Sequence, residues 1–506
     1  MFSRTNIAAV AIVSLLLLPT VLIAQNDNES YEAWKKRQQE EYNNYKRQQR
    51  EDYDNFRKKA NDEYAEFVKK RWEEMQAMKG VKPPQPKPVP PVVCPDEDKN
   101  KERRDEPKPF EDVVVVEPPK PQPQPVEPIK PVEPVTPKKE TIGTRFYGSA
   151  IQCTVAVRPR FTLASLNEDA VSNALKQLSD GHCDDLLAQC LELRSRLRLS
   201  DWGYIQLLDS LSRVACPQET NKATLLMAWL YCQSGYKMRL ARNGGHLYML
   251  YASDNIIYKA SYFTIDGEKF YSYCGNDLES LNICRASFPK EQTMTLCMNI
   301  EPKLAYHGSN TRTLQSRRYP DIKVETKVNR NLIDFYNNYP SGAIDNDFGT
   351  RWAIYANTPL SDEARRVLYP QLRQRLDGKS KLQATEELLN FVQTSLVYEY
   401  DDSVWGGDRA FFAEESLFYP YADCEDRSIL FSRLVRDLLG LRVVLLYYPG
   451  HLATAVRFDN EQPKGDYLQL DDGRYYIADP TYIGAPIGKS MPSMADKPIK
   501  VIRLVE

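Results

Sequence analysis

Between residues 31 and 78 the pattern of apolar and polar positions repeats every eleven residues. The chain reads YEAWKKRQQEE, YNNYKRQQRED, YDNFRKKANDE and YAEFVKKRWEE, then MQAM. Aromatics fall at the first and fourth places, as Tyr31/Trp34, Tyr42/Tyr45, Tyr53/Phe56 and Tyr64/Phe67, continued by Met75/Met78. Eleven residues in three turns is close to the pitch of an undistorted α-helix, so a narrow aromatic stripe keeps to one side of a long rod. The pairs Glu32/Lys36, Asp54/Lys58 and Glu66/Lys70 stand four apart and add helix-stabilising contacts. The pattern predicts a helix within 26–80. Its stripe suits a helical oligomer or a partner surface, the alternative being a single solvated helix.

The flanking segments have different patterns. Residues 1–25 carry Arg4, an apolar run from Ile7 to Leu18, then Pro19 and Ala24. That is the layout of a secretory signal, so the mature protein is expected to be exported, periplasmic or extracellular. Residues 81–142 form the next segment, and 18 of the chain's 34 prolines lie between 82 and 139. Proline fixes φ and lacks a donor, so the expectation is an extended linker that builds neither helix nor sheet. Docking of a proline-binding partner is the second reading.

From about residue 143 the pattern turns globular, in two regions, 143–300 and 301–506. In the second, helical periodicity covers 361–376 and 381–397. After Cys424, the residues Ile429, Leu430, Leu434, Leu438 and Leu439 make one apolar helix face that Gly440 ends. LRVVLLYY at 441–448 reads as a buried strand. HLATAVRF after Pro449-Gly450 reads as a second, and DYLQL with YYIADPTY as a hairpin. The pattern therefore places Cys424 at a helix N-terminus, His451 after a turn and Asp479 at a strand end.

Composition narrows the function. Lys and Arg number 67 against 69 Asp and Glu, a net charge of -2, which lacks the basic excess a nucleic-acid binder needs. Four histidines and ten cysteines with no tight cluster predict no metal site, and no motif calls for a cofactor. Cys153, Cys183, Cys190, Cys216, Cys232, Cys274, Cys284 and Cys297 fall in the first globular region. In an exported domain these are candidates for disulfides whose pairing the sequence leaves open.

The order of Cys424, His451 and Asp479, with the local sequences DCEDRSILFSRLVRDLLGL, PGHLATAVRF and YYIADPTY, resembles the transglutaminase-like branch of the papain-like cysteine superfamily. The resemblance covers about 380–485. It is closest to exported transglutaminase-like proteins of Bacteroidetes-type bacteria. It implies an α+β fold with the Cys helix packed on an antiparallel sheet. It also implies a nucleophilic Cys424, a basic His451 and an orienting Asp479, acting on amide bonds through a thioester. Animal crosslinking members usually carry an aromatic residue after the cysteine, where this chain has Glu425, so crosslinking specificity does not carry over.

A thiolate at Cys424 would be favoured by an imidazolium and by the helix terminus. The Cys424 backbone N–H is the natural first oxyanion donor, with Trp405 or Tyr419 as candidates for the second. Asp426 and Arg427 read as a structural ion pair. The expected substrate is a protein or peptide, cell-wall stem peptides included, with hydrolysis slightly favoured over transamidation. The alternative is a non-catalytic envelope scaffold.

Shifting the second region back by 205 residues sets Gly440, Leu445, Gly450, His451 and Leu452 on Gly235, Leu240, Gly245, His246 and Leu247. Cys424 then falls on Glu219 and Asp479 on Cys274. Residues 143–300 are thus expected to be a degenerate copy of 301–506 that keeps the histidine and lacks the nucleophile.

Overall fold

The computed structural model describes residues 31–84, 88–96, 105–125, 140–155, 159–274 and 278–505. The signal expected over 1–25 lies outside them. The fold is mixed α+β, with curled antiparallel sheets. Among the described residues no helix is long and apolar enough to cross a membrane.

Two compact units divide the chain, Met1–Phe56 and Arg57–Glu506. The described part of the first is helical throughout and belongs to α1 (Tyr31–Val68), with Tyr42 and Tyr45 exposed. In the second unit α1 stops at Val68, short of the 80 that the repeat suggests. Trp72 turns into the core and donates its indole N–H to the Val68 carbonyl at 3.0 Å, and Glu73–Gln76 becomes strand β1. Ala60, Tyr64, Ala65 and Val68 are buried, while Phe67 is exposed. Arg57 holds Asp184 through two N–H groups at 2.8 Å. The end of the repeat is therefore part of the globular core. The proline-rich segment follows with three short strands, β2 (Val92–Val93), β3 (Glu106–Pro107) and β4 (Asp112–Val115), whose partners lie far along the chain.

The first lobe begins with the hairpin β5 (Glu140–Phe146) and β6 (Ser149–Val155). Helices α2 (Glu168–Leu178), α3 (Asp184–Arg196), α4 (Asp201–Ala215) and α5 (Thr220–Gln233) follow. Then come β7 (Met238–Asn243), β8 (His246–Ala252), β9 (Asn255–Ile257), β10 (Tyr262–Ile265), β11 (Glu268–Ser272) and β12 (Ser280–Ile283). The sheet order is β1-β12-β7-β8-β11-β10, antiparallel throughout.

The second lobe carries the hairpin β13 (Arg312–Gln315) and β14 (Lys323–Thr326). Helix α6 (Arg330–Asn337) and β15 (Gly342–Ile344), which pairs with β9, come next. Helices α7 (Arg351–Asn357), α8 (Asp362–Leu376), α9 (Lys381–Ser395), α10 (Asp401–Trp405), α11 (Ala413–Phe418) and α12 (Cys424–Leu439) lead to the sheet. Its C-terminal strands are β16 (Val443–Tyr448), β17 (His451–Arg457), β18 (Asp466–Leu470), β19 (Gly473–Ala478) and β21 (Lys500–Arg503), with β20 (Tyr482–Ile483) beside it. The order is β3-β18-β19-β17-β16-β21-β4.

The inner strands of the two sheets share order and register. Met238 faces Tyr251 as Val443 faces Val456, and Asn243 faces His246 as Tyr448 faces His451. Ala252 faces Phe270 as Arg457 faces Tyr475, and Tyr262 faces Tyr271 as Tyr467 faces Tyr476. Each pair differs by 205 (443 against 238, 451 against 246), the offset at which the sequences align.

The VVLLYY run of β16 is buried on both faces because the sheet is covered twice. Val443, Leu445, Leu452 and Val456 join the core under α12. Val444, Leu446, Tyr448, Ala453 and Ala455 face the other way. Over that second face lies the proline-rich segment, with Val89, Val92, Phe110 and Val113 packed against it and Cys94 buried. The linker expectation for 81–142 is thus corrected for its described residues. Proline bars a central strand but not short edge pairing, and the valines between prolines supply donors and an apolar side. Residues 118–125 continue onto the first lobe, where the Gln122 amide donates to the Leu199 carbonyl at 2.7 Å and Arg194 to that of Pro123 at 3.1 Å. None of the ten cysteines is in a disulfide, so the pairing considered for the first lobe is not realised.

Candidate functional site

Asp423 caps α12, its Oδ1 accepting from the N–H groups of Glu425 at 3.0 Å and Asp426 at 3.4 Å. Asp426 returns a carboxylate oxygen to the Asp423 N–H at 3.2 Å, completing a capping box that fixes Cys424 as the first helical residue. On β17, His451 follows the Pro449-Gly450 turn, whose glycine sits at φ +83, a region that side chains disfavour. The Ser428 hydroxyl donates to the Leu452 carbonyl at 2.9 Å and pins the His strand to the Cys helix.

Asp479 follows β19. Its Oδ1 accepts from the Thr481 N–H at 2.8 Å and the Tyr482 N–H at 3.3 Å, while Oδ2 lies 2.9 Å from His451 Nε2. A carboxylate requires a donor there, which assigns the proton of the neutral ring to Nε2 and leaves Nδ1 as the acceptor. Nδ1 is buried and has no hydrogen-bond partner, Cys424 included. Gln393, on α9, clamps the loop beyond Asp479. Its amide donates to the carbonyls of Asp479 (3.0 Å), Tyr482 (2.8 Å) and Ala485 (3.1 Å) and accepts from the Gly484 N–H (2.9 Å).

Cys424 and His451 line one cleft of about 690 Å³ with Arg351, Trp352, Tyr400, Asp401, Asp408, Glu425 and Pro84, Pro88 and Pro90 of the proline-rich segment. The cleft is rich in acids, with Asp402 and Asp423 on its wall as well. Burial pushes the Cys424 thiol well above its usual range, and the charges of Asp423, Glu425 and Asp479 push it further, while the Leu452 N–H opposes them. The expected lowering by helix terminus and imidazolium is outweighed in this closed state by desolvation and three neighbouring carboxylates. Arg351, 1 % exposed, pairs with Asp408 at 2.5 Å and with Glu425 at 3.6 Å, and Trp352 donates its indole N–H to Glu425 at 2.9 Å. Burial raises Glu425 to about 8 and Asp401 to about 7. Asp401, Asp423 and Glu425 bring oxygens within 4.8 Å of one another, each carboxylate already accepting a hydrogen bond, from Arg409 N–H, from the helix N–H groups and from Trp352.

The structure puts Cys424 and His451 on the wall of one cleft and joins His451 to Asp479, with no hydrogen bond between the thiol and the ring. It does not bring Trp405 and Tyr419 to the cleft. Their rings meet at 4.8 Å in an aromatic box around Arg409, and the Tyr419 hydroxyl donates to Asn337 at 2.9 Å. Asp426 and Arg427 bind backbone rather than each other. Arg427 donates to the carbonyls of Gln393 at 3.1 Å and Leu396 at 2.9 Å, and Asp426 accepts from the Phe411 N–H at 2.9 Å. Sequence reasoning missed Arg351 and Trp352, which sit on a seven-residue helix with no motif, and the prolines that wall the cleft. In the first lobe Glu219, His246 and Cys274 take the equivalent numbers and all three are exposed, with Glu219 paired to Lys222 at 2.8 Å.

No family model matches the chain, and no curated protein does.

Proposed function

We propose that the protein is an exported thiol enzyme acting on amide bonds, of the transglutaminase-like kind its sequence resembles. The observation that carries this reading is the His451–Asp479 contact at 2.9 Å, with the ring's other nitrogen buried and unpartnered in the cleft that holds Cys424. His451 Nδ1 takes the thiol proton as the sulfur attacks the carbonyl carbon. The tetrahedral centre collapses with loss of the C–N bond, and the imidazolium returns the proton to the leaving amine. Asp479 holds the ring and stabilises its charged form. Water then cleaves the thioester, or an amine takes the acyl group. The Cys424 N–H, at the first turn of α12, is the donor we assign to the oxyanion.

The shared strand order and register support reading 143–300 as a copy that has lost its nucleophile, with Glu219 where Cys424 stands. The substrate we assign is a protein or peptide, and α1 is the element we assign to self-association. The scaffold alternative draws on one observation, the burial of Cys424, which pushes its thiol well above the usual range.

Two measurements on the full chain test the reading. Mass spectrometry of a peptide library or cell-wall digest reads cleavage and crosslinking. Alkylation of Cys424 in wild type and His451→Ala reads activation. Equal alkylation rates in both, together with no turnover of any amide, refute it when they persist after Val89→Pro with Val92→Asp has displaced the proline-rich segment from the cleft.

A further inference from the structure

The proline-rich segment does more than cover a sheet. Pro84, Pro88 and Pro90 share the cleft wall with Cys424 and His451. Val89 has both backbone groups engaged there. Its N–H donates to the carbonyl of Gly450, the residue before His451, at 3.0 Å, and its carbonyl accepts from the Tyr398 hydroxyl at 3.4 Å. The segment then runs beside β20, immediately after the Asp479 loop. Val92 and Val93 pair in parallel with Tyr482 and Ile483, and the Cys94 N–H reaches the Ile483 carbonyl at 2.9 Å. An extended chain thus passes along the rim from the base to its orienting acid, held by main-chain hydrogen bonds and by Val89 and Val92 in apolar contact. This is how a groove takes a peptide by strand addition.

Beside this segment Cys424 is 4 % and His451 2 % exposed. The first lobe supplies an internal contrast, because its matching histidine, His246, stands exposed.

We propose that residues 88–94 are an internal occupant of a polypeptide-binding groove beside Cys424, so that the folded chain is latent and its substrate is an extended, proline-tolerant polypeptide that takes the strap's place. This rests on the thiol-enzyme reading for the word substrate, but the strap is testable without it. The prolines suit an occupant, since fixed φ angles lower the ordering cost of staying bound. The raised thiol agrees, because uncovering the cleft removes the burial that lifts it.

The test is the rate at which iodoacetamide alkylates Cys424 in the full chain at pH 7.5, read by peptide mass spectrometry. Val89→Pro with Val92→Asp removes the donor to Gly450 and sets a carboxylate against the apolar sheet face. We expect alkylation about tenfold faster than wild type, since a buried thiol reacts through local opening. Ile300→Asp, at an exposed position outside the strap, leaves the rate unchanged. Added peptide PVPPVV, the sequence of 88–93, slows the double variant back toward wild type. Tyr398→Phe, which removes only the hydroxyl bond to Val89, gives a smaller increase, about threefold, and serves if the double variant loses its cooperative melt. Rates within twofold of wild type in folded Tyr398→Phe and in the double variant overturn the proposal. Faster alkylation without amide turnover supports the strap and counts against the enzyme.

Discussion

Gln393 offers the sharpest test of how the site is held. Its side chain is 2 % exposed and joins α9 to four backbone groups of the loop after Asp479. Gln393→Ala deletes all four bonds and strands the Gly484 N–H with three carbonyls in a dry interior. Each bond contributes about 1 kcal/mol net, and a stranded buried group costs about 1–3 kcal/mol. The three carbonyls share two amide hydrogens, so the loss comes to about 4 kcal/mol. The unit from Arg57 to Glu506 has about 450 residues. At about 2 cal/mol/K per residue its unfolding entropy is about 1 kcal/mol/K, and the melting point should fall by about 4 °C. Calorimetry reads this directly. Gln393→Glu keeps the acceptor for Gly484 but turns charge toward the carbonyls, and should melt below the alanine variant. Because the same loop carries the Asp479 turn, the share of Cys424 alkylation that depends on His451 should fall as well. A melting point for Gln393→Ala within about 1 °C of wild type would refute the claim that this amide holds the loop.

Three further outcomes are expected. Burial pushes Glu414 from 4.5 up to about 7 against hydrogen bonds from Ser361. Its contribution to stability is therefore complete below pH 4.5 and is lost as pH rises through 7, about 3 kcal/mol in all. Glu414→Gln, which imitates the protonated form, should flatten the fall in melting point between pH 5 and pH 8, and parallel curves would contradict this. Arg351→Met strands Asp408 and Glu425 and should cost about 3–5 kcal/mol in urea unfolding. The cost should be larger at pH 9, where Glu425, raised to about 8, has given up its proton. Gly450→Ala forces a side chain to φ +83 and should cost about 1–2 kcal/mol, with Gly450→Asn recovering part of it.

The parts of the site that follow a period were legible. The apolar face from Ile429 to Leu439 placed α12, and Asp423 followed three residues later by Asp426 marks its start. The strands expected over 441–448, 451–458, 466–470 and 475–482 run Val443–Tyr448, His451–Arg457, Asp466–Leu470 and Gly473–Ala478, and helices expected over 361–376 and 381–397 run Asp362–Leu376 and Lys381–Ser395. What has no period was not legible. The proline content says that 81–142 is extended but not that Val89, Val92, Phe110 and Val113 find a sheet face, because their complement is the even-numbered side of β16 hundreds of residues on. The end of α1 was hidden for a similar reason. Trp72 continues the helical charge pattern in sequence, and only the core of the first lobe draws it inward. The upward push on the Cys424 thiol was not legible because its largest cause, burial, and the approach of Asp479 come from folding, whereas only Asp423 and Glu425 are its neighbours in sequence.

The short strands β3 and β4 have one more effect. They come from a single stretch, Glu106 to Val115, yet they lie on opposite borders of the same seven-stranded sheet, one against β18 and the other against β21. Both flanks that would otherwise template aggregation are thereby sealed by one belt. The belt leaves the ribosome early, and Asp112 pairs with Lys500, roughly 390 residues later. Until the last strand is synthesised the belt has nothing to fasten to, so buckling it is a late event in biogenesis, and a nascent or truncated chain would have both flanks open to chaperones.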